Sequence, residues 1–82
     1  MAPSIDTYLK GKLVMYRWQQ PAGWFTGQVS RIYTPPKGRH QYNVEINYPD
    51  GRYDQRLKAE HYTAEPGGDS VPGSWCVLVK DP

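Results

Sequence analysis

The run Gln41–Tyr48 (QYNVEINY) constrains the fold more than any other stretch of the chain. Tyr42, Val44, Ile46 and Tyr48 fall on one side of an extended backbone, and Asn43, Glu45 and Asn47 on the other. Side chains leave a strand alternately to its two faces, so a strict period of two predicts a strand that is dry on one face and wet on the other. A helix would scatter the same residues around its circumference. Pro49-Asp50-Gly51 follows at once, a tight turn in which Gly51 is free to take a positive φ.

The rest of the chain repeats this grammar. Residues 12–18 (KLVMYRW) alternate, with Val14, Tyr16 and Trp18 on one face, and residues 19–23 (QQPAG) break the run. Residues 24–33 (WFTGQVSRIY) read as a second strand, Phe25, Gly27 and Val29 sharing a face; a glycine inside a strand marks a bend or a close backbone approach. Residues 34–40 (TPPKGRH) are expected to be a basic loop, 52–58 a fourth strand anchored by Leu57, and 59–63 a single helical turn returning Tyr62 to the core. Residues 64–74 lack hydrophobic periodicity and read as a long loop, and 75–79 (WCVLV) as a short closing strand. Residues 1–10 read as a lead-in from which Ile5, Tyr8 and Leu9 are available to pack. With 82 residues the chain has length for one domain. The expectation is an all-β, five-stranded, strongly bent antiparallel barrel over residues 11–80, with no space for βαβ units.

Composition narrows function. Ten Lys and Arg against eight Asp and Glu give a net charge of +2, without the concentrated basic face usual in nucleic-acid modules. The single Cys76 rules out an internal disulfide or a multi-cysteine zinc site, and reads as a buried, inert thiol. His40 and His61 alone make no metal centre. No apolar run approaches the roughly 20 residues of a membrane span. No serine or cysteine stands in a nucleophile motif, and Gly67-Gly68 lacks the strand–helix context of a phosphate loop. A non-enzymatic binding module without cofactor or metal is expected, intracellular, monomeric and part of a larger protein.

The rings point to where binding would occur. Three Trp, seven Tyr and one Phe are many for a chain with few aliphatic residues. Trp18 ends the first strand and Phe25 opens the second; Tyr48 ends the third and Tyr53 opens the fourth. Curling the two hairpins together brings four rings to one rim beside Asp50. Rings around a hollow with a carboxylate at its lip suit a methylated ammonium, a poorly hydrated cation attracted to π-faces. A carboxylate there accepts a hydrogen bond from a remaining N–H, which favours mono- or dimethyl over trimethyl lysine. The competing reading is plain packing, since Tyr48 shares its register with Val44 and Ile46. Trp24 faces away from Phe25, and Trp75 reads as a structural cover.

The pattern GKLVMYRW…GWFTGQV…YNVEINYPDGRYDQRL resembles a Tudor domain, a member of the SH3-like barrels, over residues 11–63 with Trp75–Lys80 as fifth strand. The resemblance implies recognition of methyl-lysine or methyl-arginine on a histone tail or other nuclear protein, and hence a nuclear location. It carries the cage onto Trp18, Phe25, Tyr48 and Asp50, with Tyr53 as a further ring. The sequence departs from the family at Arg52, whose charge beside the turn would repel a cationic ligand, and at Phe25, where Tyr is commoner. The alternative is an SH3-like barrel binding DNA or RNA, like those of integrases or of transcription and repair factors. Lys37, Arg39 and Arg52 would then contact phosphates.

Overall fold

The computed structural model describes residues 4–5, 7–67 and 70–78. Its strands are β1 (Leu13–Arg17), β2 (Trp24–Lys37), β3 (Tyr42–Tyr48), β4 (Gly51–Gln55) and β5 (Trp75–Leu78), with single 3-10 turns at Thr7–Leu9 and Ala59–His61. Among the described residues all strand-to-strand ladders are antiparallel and lie in one sheet, in the order β4-β3-β2-β1-β5. The architecture is therefore the all-β, five-stranded, bent antiparallel arrangement that the alternation predicts. Val79 and Lys80, which the sequence assigns to the last strand and the end of the domain, lie outside the described residues.

Bending is forced on β2. Fourteen extended residues would measure roughly 45 Å at the usual rise per residue, whereas the longest principal dimension of the molecule is 33 Å. The strand pairs with β1 from Trp24 to Gln28 and with β3 from Gln28 to Lys37, and Gln28 pairs with both Leu13 and Asn47. Just beyond, the register with β3 slips between Val29 and Arg31, a bulge of the kind that increases local twist. Ser30 sits in that slip and donates its hydroxyl to a Glu45 carboxylate oxygen at 2.8 Å.

Two boundaries differ from the sequence expectation. β2 runs to Lys37, through most of the segment read as a loop, and only 38–41 turn. Pro35 and Pro36 donate no N–H, yet they are tolerated because the register shifts again between Ile32 and Lys37 and no ladder partner falls opposite them. β4 ends at Gln55 rather than at residue 58. There the Asn43 side chain captures the departing chain, donating to the Leu57 carbonyl at 2.9 Å and accepting from the Leu57 N–H at 2.8 Å.

The dry face of the sheet holds Val14, Val29, Val44, Ile46 and Tyr48, closed over by Leu9, Leu57 and Trp75. Leu9, from the segment without periodicity, is wholly buried, while Tyr8 is 54% exposed. The lead-in is tied down by Gly11 N–H to Val29 O at 2.8 Å and Lys12 N–H to Leu9 O at 2.9 Å. Among the described residues β4 and β5 share no ladder, so the barrel is open there. The segment after β4 spans the gap: Tyr62 bridges Trp75 in parallel, and the Trp75 indole N–H donates to the Lys58 carbonyl at 2.7 Å. Trp75 is the cover the sequence expects, and Cys76 is buried, its thiol pushed up by desolvation.

Candidate functional site

One hollow of about 790 Å³ opens where the two hairpins meet, and Trp18, Phe25, Tyr48, Asp50 and Tyr53 all line it. The ladders explain the convergence. Tyr16 pairs with Phe25 across β1–β2, and Trp18, just past the end of β1, closes the turn by donating its N–H to Gly23 O at 2.8 Å. Phe25 thus stands opposite Tyr16, and Trp18 lies diagonally beyond it. On the other hairpin Tyr53 pairs with Ile46 and Tyr48 with Gly51, which sets Tyr48 and Tyr53 diagonally on one face.

Trp18, Tyr48 and Tyr53 form a nearly equilateral triangle. Ring centroids are 5.7 Å apart for Trp18–Tyr48 and 5.8 Å for both Trp18–Tyr53 and Tyr48–Tyr53, with interplanar angles between 58° and 70°. The rings meet at steep angles and do not stack. A cation above a triangle this small lies within about 6 Å of all three centroids, the range of cation–π attraction. Phe25 and Tyr53 are 47% and 41% exposed and form the outer wall. Tyr48, only 5% exposed, belongs both to the core and to the floor of the hollow. For that ring the packing and site readings coexist.

The floor is polar and internally satisfied. The Tyr48 hydroxyl donates to Gln55 Oε1 at 2.5 Å, and burial pushes the phenol well above its ordinary range, with Gln55 partly opposing the shift. Tyr16 is raised for the same reason. Both hydroxyls therefore stay protonated at neutral pH and offer no negative charge to a ligand. At the rim the Tyr53 hydroxyl donates to Asp50 Oδ2 at 3.2 Å, and this carboxylate raises the phenol's pKa. Asp50 is exposed, and it accepts this bond through one of its two oxygens.

Arg52 pairs with Asn47, one residue out of phase with Tyr53, so it occupies the opposite face of the hairpin and does not line the hollow. The repulsion expected from it is removed by strand alternation. Lys37 and Arg39 also lie away from the hollow. Lys37 Nζ is 3.0 Å from Asp54 Oδ2 and stands 5.1 Å from the Tyr33 ring centroid, and Tyr33 donates to Asp54 Oδ1 at 2.7 Å. Those two donors, the Tyr33 hydroxyl first, hold the Asp54 carboxyl below its usual range. Arg39 is exposed in the 38–41 turn.

Several lining residues carry no signal in the sequence. Tyr16 was legible by register, two positions from Trp18. Arg56, Lys58 and His61 come from the segment that crosses the open edge, and Pro72-Gly73 from the long loop. Gly73 has φ +93°, and its missing side chain leaves space for His61, whose Nδ1 would lie 3.2 Å from a Cβ there.

Comparison with protein-family models, with curated proteins and with solved structures finds no significant match. The fold and the site thus define a class by their own geometry: a small, open, five-stranded β-barrel whose two hairpins enclose an aromatic hollow with one carboxylate at its lip.

Proposed function

We propose that this hollow binds a methylated lysine side chain presented on a flexible protein segment, such as a histone tail, and that the chain acts as a binding module of a nuclear protein. The observation that supports this reading most directly is the Trp18–Tyr48–Tyr53 triangle with the Asp50 carboxylate at its edge. Methylation strips the ammonium of hydration and enlarges it, so that π-faces compete with water for it. Asp50 supplies the counter-charge and an acceptor for a remaining N–H, which favours the mono- and dimethyl states. Lys37 already serves Asp54, and Arg52 points away, so the observations favour a peptide over a nucleic acid.

The test is titration of the chain with peptides bearing unmodified, mono-, di- or trimethyl lysine, followed by tryptophan fluorescence and amide chemical shifts. Mono- or dimethyl peptides are expected to bind at least tenfold more tightly than unmodified ones and to move the Trp18 resonances. Tyr53→Ala and Phe25→Ala, at exposed positions where folding is little affected, should each lower that affinity severalfold. Equal binding of methylated and unmodified peptides, or a Tyr53→Ala variant with unchanged affinity, overturns the reading.

A further inference from the structure

The charges around the hollow do not suit a cation alone. Asp50 is answered by Arg56 and Lys58, which line the same space, and His61 adds a nitrogen heterocycle beside Tyr16 and Gly73. Among the described residues neither Arg56 nor Lys58 makes an ion pair, whereas Lys37 pairs with Asp54. Two unpaired cations beside a site for an ammonium would repel it, unless the ligand brings an anion to meet them.

The backbone carrying these two cations is held in place. They flank Leu57, which is 2% exposed and whose N–H and C=O are both bonded to the Asn43 side chain. The Lys58 carbonyl accepts from the Trp75 indole at 2.7 Å and from the His61 N–H at 3.0 Å. Arg56 and Lys58 therefore leave a fixed backbone, and less ordering entropy opposes an ionic contact with a ligand. The hollow, about 790 Å³, is also larger than a methylammonium group requires.

We infer that the hollow takes a ligand of paired charge: a methylated lysine against the rings and Asp50, and a nearby anionic side chain of the same peptide against Arg56 and Lys58. This rests on the methyl-lysine reading and adds to it the class of peptide selected. The shared chemistry is an anionic group that accepts the fork of a guanidinium, and both a carboxylate and a phosphate do so. A peptide is favoured over nucleic acid because the two cations line the same hollow as the rings and Asp50.

The experiment uses the full 82-residue chain and a peptide grid. Lysine is either unmodified or dimethylated, and a position two to four residues to either side holds glutamine, glutamate or phosphoserine. Isothermal titration at low salt is expected to show about three- to tenfold tighter binding when an anion accompanies dimethyl-lysine in one of these registers. The larger of the glutamate and phosphoserine gains identifies the source. An Arg56→Gln/Lys58→Gln double variant should lose that gain and bind the neutral dimethyl peptide at least as tightly as the parent, because the repulsion of the ammonium is removed with the two cations. An anion gain that is absent in every register, or that survives in the double variant, overturns this inference and leaves the methyl-lysine reading standing. Binding that depends on the anion and not on methylation overturns both. Duplex DNA that binds tightly and loses affinity in the double variant overturns the inference in favour of a phosphate backbone as the partner of Arg56 and Lys58.

Discussion

Gly27 has no space for a side chain. A Cβ built on it would stand 2.5 Å from Ile46 Cγ2, 2.8 Å from Tyr48 Cδ1 and 3.0 Å from the Asn47 carbonyl oxygen. Its place within β2 thus lets β3 and the Tyr48 ring, part of the floor of the hollow, come close. Gly27→Ala is expected to cost about 1–3 kcal/mol through overpacking, read as a lower urea midpoint at unchanged slope. The same substitution should weaken ligand binding, because Tyr48 must move to admit the methyl. A variant as stable as the parent would show that the β2–β3 contact is looser than these distances require. The sequence announced a close approach at Gly27, but not which side chains it serves, since the partners belong to a strand some twenty positions away.

At the scale of elements, the segment after β4 depends on one side chain. Asn43 lies on the polar side of the most regular strand, where alternation reads it as a solvent-facing residue. It instead satisfies both backbone groups of Leu57 and ends β4 three residues before the position that pattern alone suggests. Asn43→Ala leaves two backbone groups without partners and is expected to cost about 1–3 kcal/mol. Hydrogen exchange should accelerate most at Leu57 and through His61–Thr63, where the chain spans the open edge of the barrel. Uniform acceleration across all strands would mean that the clamp has no local role. The same comparison applies to β2: the prolines that punctuate residues 34–37 did not end the strand, because the ladder slips where they fall.

For the molecule as a whole, the open barrel needs plugs from outside its strands. Leu9 is buried completely under β2, and Trp75 joins the last strand to the segment after β4. A chain of this size buries little surface, so each large core side chain carries a substantial share of the stability. Leu9→Ala is expected to cost about 2–5 kcal/mol. Chemical denaturation followed by tryptophan fluorescence and by circular dichroism should show one coincident shift, because Leu9 contacts the common core. A loss below about 0.5 kcal/mol would place residues 7–9 outside the cooperative unit. Residues 1–10 offered no periodicity from which this could be read, since one side chain inserted from a 3-10 turn leaves no pattern.

The sequence by itself determined the number, kind and approximate limits of the strands, the side of each that is dry, and the tight turn at Pro49–Gly51. These follow from alternation and turn chemistry, which act over a few residues and are written locally. It also indicated which rings are neighbours across each hairpin: Trp18 with Phe25, and Tyr48 with Tyr53. Tertiary structure alone decided that the two hairpins close on one another to 5.7 Å between Trp18 and Tyr48, that Arg52 falls behind the site, and that Lys37 is held by Asp54. It also decided that Arg56 and Lys58 join the aromatic hollow at all. Those outcomes depend on how sharply β2 bends and on how the chain crosses the open edge. Both are set by contacts between residues far apart in sequence, so the hollow first glimpsed as four rings and a carboxylate became one that carries charge of both signs.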